Sequence, residues 1–339
     1  MKKILIILVL FAGLAACENF DNEFADYKFA SVYFPYQYPV RTLVLGDDIY
    51  DNTNDNNHKF LISAAIGGVY ENKSDRNLSI EVDESLCKNV LFGAGADTIR
   101  LMPSSYYTIS SNELVIPAGK YNGGVEVQLA EAFFDDPDAI KLNYVIPVRI
   151  TGSAEGDSIL SGSTTKASPD PRASGDWDVT PKNFTMFAVK FINPYEGHYL
   201  HRGVTVTKEV ATNTVVETQT QHQTYITDDE VWRFKTSGKN QVTYTGTLRS
   251  STLSGTLSMK LDFASDGTCT VSDAGSKYAV SGSGKFVENG DSWGNKKRNA
   301  IYLNFTATNG TNSITATDTL VIRDRGVVLE TYSPAIFAK

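Results

Sequence analysis

The chain has 339 residues, 41% of them hydrophobic, and a formal net charge of -8. That apolar content can build more than one core, and the length suggests two or three domains. An acidic chain without a basic patch to release counterions excludes nucleic acid as a partner, and three cysteines are too few for a disulfide-built scaffold.

The first segment reads as a leader. Lys2 and Lys3 precede an apolar run over residues 4–16. Roughly 13 residues fall short of the ~20 that a membrane-spanning helix needs, but they fit the apolar region of a secretory signal peptide. Leu14-Ala15-Ala16-Cys17 resembles the bacterial lipobox, in which the cysteine takes a diacylglyceryl group and becomes the new N-terminus. The expectation is a signal peptide over 1–16 and a tether over 17–30, lipidated at Cys17. Each buried methylene contributes roughly 0.8 kcal/mol, so two or more acyl chains hold a protein stably on a bilayer. Glu18, Asp21 and Glu23 resemble the acidic export signal of Bacteroidetes surface lipoproteins. The expected location is therefore the outer membrane, lipid-anchored and facing the exterior.

Beyond the tether, alternation with period two dominates. Tyr33-Phe34-Pro35-Tyr36-Gln37-Tyr38 sets Tyr36 and Tyr38 on one face if extended, either as ligand contacts or as buried rings of a first strand. Residues 51–57 form an acidic and amide-rich loop. Cys87 reads as a small buried apolar residue. Val125, Val127 and Leu129 share one strand face, as do Tyr144, Ile146, Val148 and Ile150. Pro147 inside that run suggests an edge strand or a bulge. Asn122-Gly123-Gly124, Ser265-Asp266-Gly267 and Asn309-Gly310 read as turns. Residues 161–181, rich in Ser, Thr, Pro, Gly and Asp, read as a linker or long crossover loop. Trp177 lies inside it between two aspartates and is expected to dock between domains or to contact ligand.

In the second half, Trp232 and Phe234 alternate with Arg233 and Lys235 and read as core. Leu257, Met259, Leu261 and Phe263 alternate with polar residues, as do Ile301, Leu303 and Phe305. Trp293, flanked by glycines and polar residues, is expected either to plug one end of a barrel or to contact ligand. Gly197-His198-Tyr199 is faintly similar to the Gly-x-Trp opening of lipocalin-like barrels. The expected fold is all-β: an immunoglobulin-like β-sandwich over 31–192, including the loop 161–181, followed over 193–339 by an antiparallel β-barrel (lipocalin-like) or a second β-sandwich.

Several long stretches carry a family resemblance. FAVKFINPYEGHYLHRG, SGSGKFVENGDSWGNKKRNAIYLNF and TDTLVIRDRGVVLETYSP resemble the C-terminal domain of a family of Bacteroidetes surface lipoproteins of unassigned function. YYTISSNELVIPAGKYNGGVEVQL and LNYVIPVRIT resemble their N-terminal domain, which other proteins carry fused to glycoside hydrolases of family 18. The resemblance implies a glycan-binding or adhesion role beside a starch-utilisation-type uptake system. It supplies no catalytic residue.

The residues themselves offer little catalytic chemistry. Ser281-Gly282-Ser283-Gly284-Lys285 ends like a phosphate-binding loop, but Ala279 and Phe286 stand where that motif needs Gly and Ser/Thr. The family 18 acidic signature is missing from the sequence. His198 and His201, three apart on a strand, fall on opposite faces and cannot share a metal ion. Residues 51–57 do not continue into an EF-hand, whose sixth and twelfth positions would be Asn56 and Ile62. The expectation is a non-enzyme without metal or cofactor. It holds a glycan through Trp293, Trp177, Tyr36 or Tyr38, with proteins of an outer-membrane glycan uptake complex as partners. The alternatives are a scaffold subunit that binds proteins and, less favoured, a glycosidase with an unrecognised carboxylate pair.

Overall fold

A computed structural model describes residues 29–248 and 250–337. The expected signal peptide, Cys17 and most of the tether lie outside the described residues. The fold is all-β. The first twelve strands are β1 (Ser31–Tyr33), β2 (Pro39–Val44), β3 (Lys59–Gly67), β4 (Arg76–Val82), β5 (Val90–Leu91), β6 (Arg100–Leu101), β7 (Tyr107–Ile109), β8 (Glu113–Ile116), β9 (Asn122–Leu129), β10 (Tyr144–Ser153), β11 (Ser158–Ile159) and β12 (Phe184–Ile192). All but β5 join one sheet, whose main path runs β11-β1-β3-β9-β8-β4-β10-β12-β2. Four strands separate β3 from β12 along this path, yet Phe60 of β3 stacks on Phe187 of β12 with ring centroids 5.8 Å apart. The sheet therefore curls over and faces itself across a core of alternating residues such as Ile62, Leu78, Leu114, Val127 and Ile146.

Strand β10 is buried on both faces. It pairs with β12 on one side and with β6 and then β4 on the other, so Pro147 does not mark an edge strand, and the register shift of β10 lies further on, between Ile150 and Gly152. The Pro147 carbonyl accepts the Asp83 N–H at 3.0 Å. The missing proline N–H faces the same side, at the gap where one partner strand ends and the next begins, so no ladder bond is lost. Asn122-Gly123-Gly124 is not a turn either but the start of β9. A Cβ on Gly123 would stand 2.0 Å from the Val115 carbonyl oxygen, so glycine permits β8 to cross there.

Strands β13 (Gly197–Glu209), β14 (Val215–Gln221), β15 (Glu230–Gly238), β16 (Gln241–Thr247), β17 (Thr256–Phe263), β18 (Thr268–Asp273), β19 (Ala279–Trp293), β20 (Lys296–Thr308) and β21 (Asn312–Asp324) make an antiparallel meander. Pairing of β13 with β21 closes it into a barrel, with β14 appended to β13. Of the two expected forms, this half adopts the barrel. Its interior holds Tyr199, Phe234, Met259, Leu261, Leu303 and Leu320, the inward set that the alternation marks. Tyr195 stacks on Phe263 at 3.8 Å and covers one end. The decoy around Gly282 and Gly284 lies within β19. Side chains there would stand 2.3 Å from the Asn304 carbonyl oxygen and 2.4 Å from Leu303, so these glycines serve strand packing, not phosphate.

The chain end differs from the expected 193–339 unit. Strands β22 (Glu330–Thr331) and β23 (Ala335–Ile336) return to the first half, where β22 pairs with β2 and β23 with β5. Tyr332, 7% exposed, donates its hydroxyl to the Met186 carbonyl at 2.8 Å and joins Tyr38, Phe92 and Phe184 in one aromatic cluster. Residues 51–57 form a one-turn helix at Thr53–Asn56. Its buried Asp55 accepts hydrogen bonds from Arg41 and from the Val44 N–H, so this acidic run is tied into the first sheet.

Candidate functional site

Arg325 sits just beyond β21 and is 6% exposed. Its guanidinium donates from Nε to the Glu196 carbonyl (2.7 Å), from Nη1 to those of Leu45 and Asp47 (both 2.9 Å) and from Nη2 to that of Asn193 (2.6 Å). Leu45 and Asp47 follow β2 of the first sheet, while Asn193 and Glu196 flank the passage into the barrel. A planar fork of donors suits this divergent set of acceptors, and charge-assisted bonds are the stronger kind. Burial pulls the Arg325 pKa below its ordinary value. Asn193 adds a second fastening, donating to the Gly238 and Gln241 carbonyls at 3.0 and 2.8 Å. Gly46, at φ +80°, has Pro194 where its Cβ would lie, 2.7 Å away. The two halves are thus locked at one relative geometry.

Beside this lock opens a cleft of about 300 Å³. One wall is Asp47, Asp48 and Ile49 from the loop after β2; the other is formed by the starts of β20 and the end of β21, with Pro194 and Tyr199 between. The β19–β20 hairpin turns through Gly294 and Asn295 at φ 60° and 59°, the paired positive values of a type I′ turn. Trp293 at its foot donates Nε1–H to the Ile322 carbonyl at 3.0 Å. The Arg298 guanidinium covers its ring at 4.8 Å from the centroid, a cation–π contact that orients Arg298 beside the cleft. Asp324 accepts from Arg323 Nε at 2.7 Å and contacts His198 Nδ1 at 2.6 Å. Burial pushes its carboxyl up, but the hydrogen bonds from Arg323 and His198 outweigh that and leave it below the usual range. Asp324 is therefore an acceptor in the cleft and a poor proton donor. Lys296 and Lys297 are exposed on the rim, and Asn299 reaches Asp47 across the cleft at 3.4 Å. The arrangement offers donors and acceptors of both signs beside the exposed side chain of Ile49, 62% accessible.

The four candidate aromatics are not gathered at one place. Trp293 adjoins the cleft, but its indole N–H and one ring face are already engaged. Trp177 does not dock between the domains. It donates Nε1–H to the Asp170 carbonyl at 2.8 Å, within a loop that Arg172 staples to the Leu86 and Lys88 carbonyls of the first domain at 2.9 and 2.6 Å. Tyr36 and Tyr38 are not in a strand and point apart. Tyr36 is 55% exposed. Tyr38 packs on Phe184 and Tyr332, where burial raises its pKa to about 12, and it lines a hollow of about 290 Å³ with Arg172 and Pro334. Sequence reasoning missed the charged lining, Asp47, Asp48, Arg298, Arg323, Asp324 and Arg325. The RDR run at 323–325 is a visible signal, since three consecutive charges at a strand end need partners.

The family model of a domain of unknown function, DUF5627, matches residues 194–326, from the passage between the halves to just past Arg325. A model of an N-terminal domain matches residues 21–157. A protein of unknown function from Bacteroides ovatus, known from a crystal structure, is 38% identical over 92% of this chain and 100% of its own, with a TM-score of 0.83. A multidomain protein including DUF1735 from Bacteroides ovatus is 12% identical over 88% of this chain and 97% of its own, with a TM-score of 0.42. An auxiliary nutrient binding protein from Bacteroides thetaiotaomicron is 12% identical over 86% and 95%, with a TM-score of 0.38. At these TM-scores the last two carry no argument about this chain. No curated protein matches it.

Proposed function

Since this chain belongs to the family of the Bacteroides ovatus protein of unknown function and matches the DUF5627 domain over residues 194–326, we propose that it is a non-catalytic, lipid-anchored binding protein of the outer-membrane surface. It holds a glycan in the cleft between its two halves and works beside the proteins of a glycan uptake system. The observation that carries this reading is the cleft, a concave space at a domain junction with convergent polar groups, beside the bonds that Arg325 makes to both halves. Sugar hydroxyls need directional donors and acceptors, which Asp48, Lys297, Arg323 and the ionised Asp324 supply. The low pKa of Asp324 favours holding a ligand over donating a proton to a leaving group. Anchoring through Cys17 raises the local concentration of binding sites, so each one can be weak.

Affinity electrophoresis of the intact lipoprotein through gels of plant and host polysaccharides tests this. At least one polysaccharide should retard the protein, and Asp48→Ala with Lys297→Ala should weaken retention by about tenfold, the equivalent of one good polar contact. Retardation by none of them, or unchanged retention of the double variant, removes the cleft as a glycan site. Cys17→Ser should move the protein from the membrane fraction to the soluble one.

A second reading is favoured by β14, an edge strand that carries Val215 and Val216 at 53% and 48% exposure. Such an edge accepts a partner's strand. Stoichiometric recovery of one protein with the lipoprotein from solubilised membranes, abolished by Val216→Pro, would make scaffolding the main role.

A further inference from the structure

The barrel wall parts between β14 and β15. Strand β13 pairs with β15 only over Gly197–His201 and then, from Gly203 onward, with β14. Pairing of β14 with β15 is absent among the described residues, and a loop over 222–229 joins them. His201 stands at the fork, 3% exposed, with Asp318 beside it, also 3% exposed. The His201 ring contacts Glu230 through Nδ1 at 3.1 Å and lies with Nε2 3.1 Å from Asp318 Oδ1. That second contact is an ion pair without hydrogen-bond alignment, so His201 Nε2 and Asp318 Oδ1 both keep an unused direction. Trp232 Nε1 and Gln221 Oε1 are likewise buried without a hydrogen-bond partner. Trp232 Nε1 and Gln221 Oε1 are thus two buried polar atoms without a partner, beside an ion pair that is not aligned as a hydrogen bond, and such a spot calls for an occupant.

Geometry defines the occupant. All four residues line an inner space of about 20 Å³, enough for one oxygen-sized group. Trp232 Nε1–H and, in the imidazolium form, His201 Nε2–H are donors; Gln221 Oε1 and Asp318 Oδ1 are acceptors. A group that both accepts and donates, a hydroxyl or a water, complements them. Trp232 cannot turn away to find another partner, because Tyr244 stacks on it at 4.0 Å and His201 lies at 4.2 Å on its ring. Room for Asp318 depends on Gly203, where a Cβ would stand 2.0 Å from Asp318 Oδ1. Outside the inner space lies a groove of about 430 Å³, lined only by polar residues, among them Gln219, Gln223, Asp228 and Glu230. Asp229 in the same groove is paired with Arg202.

We propose that this fork is a second binding site, separate from the cleft, that takes one hydroxyl of an uncharged sugar into the inner space and holds the rest of the ring in the polar groove. Carboxylates at Asp228 and Glu230 accept further hydroxyls and disfavour anionic sugars.

The test is titration of the 15N-labelled lipoprotein, in detergent, with the methyl glycosides of glucose, galactose and mannose and with a methyl glucuronide. The chain has three tryptophans, so Trp177→Phe and Trp293→Phe identify the Trp232 indole signal by elimination. That signal should shift saturably with at least one neutral glycoside. Gln221→Leu, at a partly exposed position, should weaken the interaction about tenfold, whereas Lys297→Ala in the cleft should not. An indole signal unmoved by all three neutral glycosides would mean that the space holds only water and would overturn the proposal. So would full affinity in Gln221→Leu, or a glucuronide bound as tightly as the neutral sugars. None of these results depends on whether the cleft binds.

Discussion

His201 is the residue whose protonation state stability should report. Its burial pushes the imidazole pKa down, but Asp318 and Glu230 outweigh burial and raise it above the ordinary 6.5. A histidine raised in the folded state contributes its full stabilisation below the unfolded value and loses it as pH climbs through the folded value. Urea midpoints of the wild-type protein should therefore fall as pH rises above about 6.5. His201→Gln should be less stable by roughly 3–5 kcal/mol, because it leaves Asp318 buried without its cation, and this part of the pH slope should vanish. An identical slope in the variant would show that other groups cause it. The same residue shows what is hard to see in a sequence. Its spacing from His198 correctly separates the two rings onto opposite faces: Tyr199 and His201 point inward while His198 meets Asp324 outside. Its partners Glu230 and Asp318 are distant in the chain and only the barrel closure joins them.

At the scale of elements, alternation located most strands because each has one face in a core. The misreadings have one cause. Gly123 and Gly124 signal a turn, and Pro147 an edge or a bulge, when neighbours are unknown, yet in β9 and β10 these residues answer the close approach or the ending of an adjacent strand, as the glycines of β19 also do. Gly282 gives a direct check. Gly282→Ala places a methyl against β20 backbone and should cost about 2 kcal/mol in urea denaturation, whereas Ser281→Ala, next door on the exposed face, should change stability by less than about 0.5 kcal/mol. Equal effects would remove the packing explanation. The loop over 161–181 reads by composition as a linker or a long crossover loop; it joins β11 to β12 of one sheet, and its Arg172 and Trp177 spend their donors on backbone carbonyls that hold it in place.

For the whole molecule, Arg325 is the element of rigidity. It bonds four carbonyls from both halves, and Lys239 adds exposed pairs to Glu131 and Asp135 at 3.2 and 2.7 Å, worth little at a surface. Arg325→Met should lower stability by about 3 kcal/mol, the scale of two charge-assisted hydrogen bonds. It should also split a single calorimetric transition into two, because the sheet and the barrel lose their common fastening. One undivided transition in the variant would show that the returning strands β22 and β23 couple the halves by themselves. The chain passes from sheet to barrel after β12, but the tail crosses back to pair with β2 and β5, so the sheet half is not a continuous segment while the barrel is.

By itself the sequence determined the all-β class, the inward sets of β9, β10, β17 and β20 and the buried places of Trp232, Phe234 and Cys87. These follow from local periodicity and from the free energy of burying apolar surface, which need no knowledge of distant neighbours. Only the tertiary structure decided that the second half closes as a barrel, that the tail joins the first sheet, and that Arg325 seals the junction. It alone placed His201, Gln221, Trp232 and Asp318 around one small space. Closure and polar satisfaction depend on which remote backbone groups meet, and alternation is silent on that.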